Sequence, residues 1–535
     1  MIIDFLNSSK SEFIADVCII GSGAAGFASA LTFLKSEINV LVIEGGDSTF
    51  KKDAASIHQA KNTGKHHAGI HKARERIIGG TTTKWGGQAL PFMKEDFMDR
   101  PHIAVSGWPI TYEDLKPFYR KAENILGTDP STKYTYQPWN EWDIKLPGFN
   151  KSILNLIVTK WCKIPNFAVQ HGEKIKNSSK VNILKNANVI EFLPDELENV
   201  KSISIRSITQ KEGIVKAKYF ISAGGAFESV RLFLNSKKFS PQGIGNKNGL
   251  VGLYIQDHVA AIVGQIFPKN RKKFHDIFDT FYKNGYKYLP RLRLSPEFAK
   301  NNKLLHASAQ IVFDIDSNNI LTKVKENLTE IKSKRKTYLS LVLLLLSDFN
   351  LYKILKIVFR WKILKRGTSP IAGPIWLEIH SEQEPSLKNK ITLNKEKDIL
   401  NQQRISLDWN ISELTNKTIK EMAKYSALEL EKSGLANVKL ESWVNFSNQN
   451  TSKLMTDSYH QAGGLIMGKN EQVGVVDSNC KVFGINNLFV ASSAVFPTSS
   501  FSNPTMTTIA LAIKISEQII NDLKVQNFNK DQFNR

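Results

Sequence analysis

The sequence predicts an α/β fold in two domains, on three observations. An apolar run, Val17-Cys18-Ile19-Ile20, enters Gly21-Ser22-Gly23-Ala24-Ala25-Gly26, then a run of helix formers and Val40-Leu41-Val42-Ile43-Glu44; the order is strand, tight turn, helix, strand. A second strand, Tyr219-Phe220-Ile221-Ser222, enters Ala223-Gly224-Gly225 and another helix. From 266 to about 460 the pattern changes to alternating strands, such as His306 to Phe313 and Ile375 to His380, with few glycine turns. At 535 residues the chain also exceeds what one core usually serves.

In the opening unit Gly21 permits the sharp turn, Gly23 lets a pyrophosphate approach the backbone, and Gly26 lets the helix pack on the strand; the N–H groups around Ala24 and Ala25 face the phosphates. Glu44, at the tip of the second strand, is placed to accept from a ribose 2'-hydroxyl and disfavours a 2'-phosphate by charge. The unit therefore predicts a Rossmann-like domain for FAD or NAD rather than NADP.

Residues 45–75 are polar and carry His58, His66, His67 and His71. No nearby Cys or carboxylate completes a metal-ligand set, so no metal is expected and a solvated loop is the plainer reading. Next, Gly79-Gly80-Thr81-Thr82-Thr83-Lys84-Trp85-Gly86-Gly87 makes a poor helix and a poor strand but offers closely spaced N–H and hydroxyl donors, suited to a large planar ligand with polar edges. Residues 108–127 read as a capped helix, with Thr111 before acids at 113 and 114 and Gly127 at its end. Residues 323–366 carry twelve Lys or Arg against three acids and include the apolar run Tyr338 to Leu346. Beyond it, Lys353, Lys356 and Arg360 fall on one helical stripe and Leu351, Ile354, Leu355 and Val358 on another. The apolar run is shorter than the roughly twenty residues of a spanning helix, and the two readings are a helix lying in a membrane interface or one packed on the protein's own core.

The last chemical stretch holds His460, then Ala491-Ser492-Ser493, then Asn503-Pro504-Thr505 at the start of a helix expected over Thr508 to Leu523. A helix start there would turn backbone donors and a positive dipole end toward an electron-rich ligand. The formal charge of +22 points to an anionic partner or simply to a basic surface. Three dispersed cysteines give neither a zinc spacing nor a disulfide framework. The N-terminus lacks the pattern of a signal peptide, and cytoplasmic localisation is expected, with peripheral attachment to the inner membrane face as a further expectation.

Taken together these stretches resemble the glucose-methanol-choline (GMC) oxidoreductases, FAD-dependent enzymes that oxidise alcohols and sugars. The motifs occur in the family's order: the Gly21 to Glu44 unit, the Gly79 to Gly87 loop, Ala223-Gly224-Gly225, Asp257-His258, and the block from His460 to Pro504. The resemblance implies a discontinuous FAD domain (1–265 and 460–525), an α+β substrate domain on a mainly antiparallel sheet (266–459, with the basic insertion at about 320–370), and a polar tail (526–535). It implies cofactor contacts from Gly21, Gly23, Ala24, Ala25, Gly26, Glu44, Gly80, Thr81, Thr82, Trp85, Gly86, Gly87, Val189, Ala223, Gly224, Ser493, Pro504 and Thr505. By position, His460 matches the active-site histidine and Asn503 its partner, so that His460 takes the hydroxyl proton as hydride passes to flavin N5.

Two departures stand out. Lys84 occupies the place of a histidine that bonds flavin covalently in some sugar-oxidising members, so noncovalent FAD is expected. Serine replaces a frequent acid in the segment 491–493. The leading expectation is a dehydrogenase of a small alcohol or sugar that passes electrons to a quinone or another carrier. The competing readings are an oxygen-using oxidase, an NAD-linked reductase, and a membrane- or nucleic-acid-binding protein on a degenerate flavin fold. The basic segment lacks a nucleic-acid-binding signature.

Overall fold

The computed structural model describes the chain except residues 136, 142, 143, 145, 147, 314–326, 328–336, 347–349, 368, 370–372, 446–450 and 534–535. Strand β1 (Glu12–Ile20), helix α1 (Ala24–Phe33) and β2 (Val40–Ile43) form the opening unit. All four β2 residues are buried, as expected of a parallel strand covered on both faces. β1 pairs in parallel with β2 on one side and with β3 (Glu212–Ser222) on the other, with Cys18 opposite Leu41 and Phe220. Val181–Lys185 extends the sheet beyond β2, and Leu488–Val490 returns from far down the chain to pair in parallel with β3. Helix α2 (Ala226–Asn235) follows the second glycine turn. The capped helix is also present, over Tyr112–Leu126, with a Thr111–Asp114 capping box and Gly127 in the left-handed region.

The second sheet is mainly antiparallel. β4 (Val259–Pro268), β5 (Tyr286–Leu294), β6 (Ala307–Phe313) and β7 (Ile375–Ser381) form its centre in the spatial order β4-β7-β6-β5. Leu154–Trp161 and Gln88–Ala89 complete the edge beyond β5. These two segments lie inside the stretch read from sequence as FAD domain, and β4 begins before residue 266. The apolar pattern marks a strand but not its partner, so the domains are interleaved more than the sequence indicates. Along β7, Ile375, Leu377, Ile379 and Ser381 are buried while Trp376, Glu378 and His380 are half-buried. The two-residue period thus separates an apolar face from a polar one. The apolar face shares its core with Ile419 and Met422 of α5, and α3 (Tyr338–Leu346) and α4 (Asn350–Lys362) precede that helix, α5 (Glu413–Lys432), in the chain.

Helix α6 (Pro504–Phe533) begins four residues before the expected start and runs through most of the expected polar tail. Pro504 at its first position fits, because the missing N–H there has no helical partner to lose.

Candidate active site

A cavity of about 620 Å³ opens at the strand ends of the first sheet, where Ile20, Ile43 and Ser222 line it, within the size range of small-molecule sites. Its walls come from the turn before α1, the Gly80 to Gln88 loop, the turn before α2, the 398–402 hairpin tip, residues 458–461 and 491–493, and the start of α6. Of the predicted site residues, His460, Asn503 and all the cofactor candidates except Gly26 and Gly87 line it. Gly26 does not line the cavity and packs inward, where a Cβ would fall 1.9 Å from the Gly21 carbonyl oxygen, which fits the helix-packing role read from sequence. Gly87, at φ +82, turns the chain against Pro165 and Cys162, so its role is to aim the loop.

The glycine turn is held by Glu44. Ser22 donates to Glu44 Oε2 through its backbone N–H (3.1 Å) and its hydroxyl (2.6 Å), and the Gly46 N–H donates to Oε1 at 2.8 Å. Burial pushes the Glu44 carboxyl up against these donors. Gly21 stands at φ +103 with a notional Cβ 2.7 Å from the Ala223 carbonyl oxygen, so the two glycine turns meet there and no larger residue fits.

One stretch of wall is cationic. Arg74, Arg76 and Arg231 surround Glu228, with Arg76 at 2.5 Å and Arg74 at 3.0 Å, while Arg231 pairs with Asp398 at 2.5 Å. Burial alone would raise the Glu228 carboxyl, but Arg76, His58 and Arg231 hold it well below the usual carboxylate range. His58 contacts Glu228 at 3.3 Å and is held down at about 4, first by burial and then by Arg74. Sequence reasoning missed this cluster; Arg74 and Arg76, just before the glycine-threonine loop, were the available signal.

A second stretch carries the pair His460 and Asn503. Asn503 Nδ2 lies 3.1 Å from His460 Nε2, and both His460 Nδ1 and Asn503 Oδ1 are buried without a partner among the described residues. His460 sits deep in the protein with part of its surface open to the cavity. Burial, then the charge of His258, His380 and Arg291, keeps its ring well below the ordinary imidazole range, so the ring is neutral near pH 7. Its backbone N–H donates to Asp257 Oδ1 at 2.8 Å. Asp257 Oδ2 meets His67 Nε2 at 3.1 Å, and Asp457 accepts from the N–H groups of Ala68 and Gly69 at 2.7 and 2.8 Å. His58 and His67 are therefore buried members of the site's support, contrary to the solvated loop expected from sequence. The carboxylates that explain them lie too far along the chain for local pattern to reveal.

The polar face of the second sheet looks toward the same pair. The His258 ring centroid is 4.7 Å from that of His460, and His258 leads directly into β4. On the same face Arg291 donates to Gln310 at 2.8 Å and to Ser308 at 3.3 Å, and His380 contacts Glu378 at 3.1 Å. Register places Ser308 opposite His380 and Gln310 opposite Glu378. Arg291 is 5% exposed with its Nε unpartnered among the described residues.

The residues fit a dinucleotide. At Gly23 a Cβ would meet nothing within 4 Å, so the turn presents bare backbone to the cavity. Within this cluster three guanidinium groups face Glu228 and Asp398, which offers guanidinium donors to a pyrophosphate-bearing ligand, while Glu44 and Glu75 also line the cavity. Lys84 is exposed and lines the cavity, and Ser493 donates its hydroxyl to the Gln461 carbonyl at 2.7 Å.

Comparison with known proteins bears out the resemblance. Residues 385–512 match the family model described as GMC oxidoreductase. The chain is 22% identical to the fructose dehydrogenase large subunit of Gluconobacter japonicus, over 96% of this chain and 99% of that protein. It is 20% identical to a 2-methyl-1,2-propanediol dehydrogenase of Mycolicibacterium austroafricanum, over 48% of this chain and 57% of that one. Among solved structures a formate oxidase aligns at TM-score 0.56 and 15% identity, covering 96% of this chain and 100% of its own. A fungal aryl-alcohol oxidase aligns at TM-score 0.56 and 14% identity, covering 95% and 99%. The structural likeness establishes the fold: a Rossmann-like α/β domain joined to a second domain on a mainly antiparallel sheet.

Proposed function

We propose that this GMC-type oxidoreductase is a dehydrogenase that holds FAD noncovalently and oxidises a CH–OH group of a polyhydroxylated small molecule, a sugar or polyol. The observation that carries the reading is the 3.1 Å approach of Asn503 Nδ2 to His460 Nε2 on the wall of a glycine-lined cavity. When bound, FAD supplies the acceptor for the carbinol hydride. The backbone donors of the Gly21 to Ala25 turn and the start of α1, with the nearby guanidinium groups, would hold its phosphates.

An alcohol has a pKa far above 7, so its oxygen must give up a proton as the hydride leaves. Neutral His460 within hydrogen-bond reach can take that proton at Nε2, typically contributing about a hundredfold to ten-thousandfold. Asn503 can orient the same oxygen through its amide. Asp257 fixes the His460 backbone and so the height of the ring in the cavity.

The polar face supports a substrate with several hydroxyls. Arg291 only donates, Glu378 only accepts when ionised, and Gln310 and Ser308 do both. A polyol can exchange hydrogen bonds with such a mixture, whereas an apolar alcohol offers it a single hydroxyl; sites built to bind hydroxyls reject analogues lacking them by on the order of ten-thousandfold. Lys84, in place of an imidazole, supports noncovalent attachment. The names of the two dehydrogenases described above lend weight to a dehydrogenase, while the solved structures are oxidases; a quinone or another carrier is the acceptor this reading proposes.

The test is anaerobic mixing of the yellow holoenzyme with a panel of sugars, polyols and apolar alcohols, followed in air by oxygen uptake with and without a quinone. Bleaching by polyhydroxylated members, turnover with quinone and little oxygen uptake are expected. Bleaching only by apolar alcohols would overturn the substrate class, and rapid oxygen uptake without quinone would make the enzyme an oxidase.

A further inference from the structure

Among the described residues, most large apolar side chains of helices α3 and α4 point away from the protein. In a helix that serves a globular core, the apolar stripe faces inward and charge faces water. Here Leu346 on α3 is 70% exposed, and Leu355 and Phe359 on α4 are 58% and 54% exposed. Arg360, by contrast, turns inward: its guanidinium donates to buried Asp279 at 2.5 Å and to the Gly367 carbonyl at 3.0 Å. The expected basic stripe of Lys353, Lys356 and Arg360 is therefore corrected at Arg360; the side chains of Lys353 and Lys356 lie outside the described residues. The helix is presented in this orientation by a firm base. Asp279 also accepts from the Ser369 hydroxyl at 2.7 Å and from the Thr280 N–H at 2.8 Å, and Tyr282 donates its N–H to the Lys365 carbonyl at 2.7 Å.

We propose that this helical pair docks the protein on the surface of an anionic lipid bilayer, with the apolar side chains of α4 entering the headgroup boundary. Three observations choose lipid over other occupants. The segment 323–366 carries twelve cationic residues against three acids, which attracts anionic headgroups and opposes a second copy bearing the same charge. Trp361 and Tyr352 flank the exposed aliphatic residues, the position aromatic rings favour at a membrane interface. Lysines are depleted in protein–protein interface cores, yet exposed Lys362 and Lys365 adjoin exposed Ile363 and Leu364. The helices lie on the bilayer rather than cross it: no helix among the described residues is long and apolar enough to span one.

The experiment is co-sedimentation of the full-length flavin-loaded protein with phosphatidylcholine vesicles, with and without 30% phosphatidylglycerol, alongside its mass in solution by light scattering. Two variants accompany it, Leu355→Asp with Phe359→Asp, and Lys362→Glu with Lys365→Glu. Retained flavin absorbance shows that each is folded. The parent is expected to bind phosphatidylglycerol vesicles at least tenfold better than neutral ones, and each variant to lose at least tenfold of that binding. Failure to sediment would overturn the proposal, as would undiminished binding by the Leu355/Phe359 variant, which would reduce the effect to charge adhesion. An oligomer that this same variant dissociates would make the face a contact between copies and would equally overturn it. Because none of these readouts depends on turnover, failure here leaves the assignment of the reaction untouched.

Discussion

Asp257 Oδ1 lies 2.8 Å from the backbone nitrogen of His460 and 3.2 Å from that of Ser458. One carboxylate thus sets the chain on which His460 is mounted, and its other oxygen rests on His67. Asp257→Asn keeps the shape and weakens both contacts. Reduction of the flavin by substrate is expected to slow on the order of tenfold or more, because small displacements of a reacting group are costly; flavin content should be unchanged. An unaltered reduction rate would remove Asp257 from this role.

His460→Ala removes the proton acceptor without touching the dinucleotide turn. Flavin should be retained at parent levels while its anaerobic reduction slows at least about a hundredfold. Stopped-flow absorbance decides it, and a near-parent rate would show that another group accepts the proton.

The pH profile of that reduction follows from the same ring. Burial and the neighbouring His258, His380 and Arg291 disfavour its charged form, so His460 remains neutral as the pH drops through 6.5, the ordinary imidazole value. The acid limb is expected well below pH 6.5; a limb at or above that value would contradict the depressed ring.

Stability carries its own acid limb. His58 and His258 are held at about 4, whereas the unfolded chain binds their protons below about 6.5. The unfolded state therefore holds more protons between those values, so the contribution of these two histidines to stability falls as pH is lowered through that window and levels off below 4. Each shift corresponds to about 3 kcal/mol at its limit. Thermal melting of protein between pH 7 and 4.5 should show a steady fall in Tm, smaller in a His58→Gln variant; a Tm independent of pH would refute the assignment.

Gly23→Ala separates folding from cofactor retention. The residue sits at φ −76, with no atom within 4 Å of the added methyl group, so apoprotein stability should be unchanged or slightly higher. The methyl group faces the cavity, and flavin affinity is expected to fall at least tenfold, read by fluorescence on titrating apoprotein with FAD. Equal affinity would place the dinucleotide elsewhere.

What the sequence disclosed was local. The Gly21 to Glu44 unit and the final helix, apart from its first turn, are legible because spacing, turn chemistry and apolar pattern coincide within a few residues. The support of the site was not legible for the opposite reason: Glu228 meets Arg76 across 152 positions, and Asp257 meets His460 across 203. The alternation through Trp376, Glu378 and His380 can be read from β7 alone, but its opposing Arg291 and Gln310 come from other strands. His67 shows the cost of reading one segment at a time. Among its own neighbours it has no carboxylate, and in the fold it rests on Asp257 with Asp457 close by.

The return of Leu488–Val490 to pair with β3 affects how the protein is made. Synthesis delivers the Gly21 turn first and the Ser493, Asn503 and α6 walls last, nearly five hundred residues later. A nascent chain can therefore form β1, α1 and β2 early, but it has no complete cavity until the final stretch leaves the ribosome. Products cut short before residue 488 would lack both a strand of the first sheet and one wall of the cavity, so premature termination leaves the cavity open on that side.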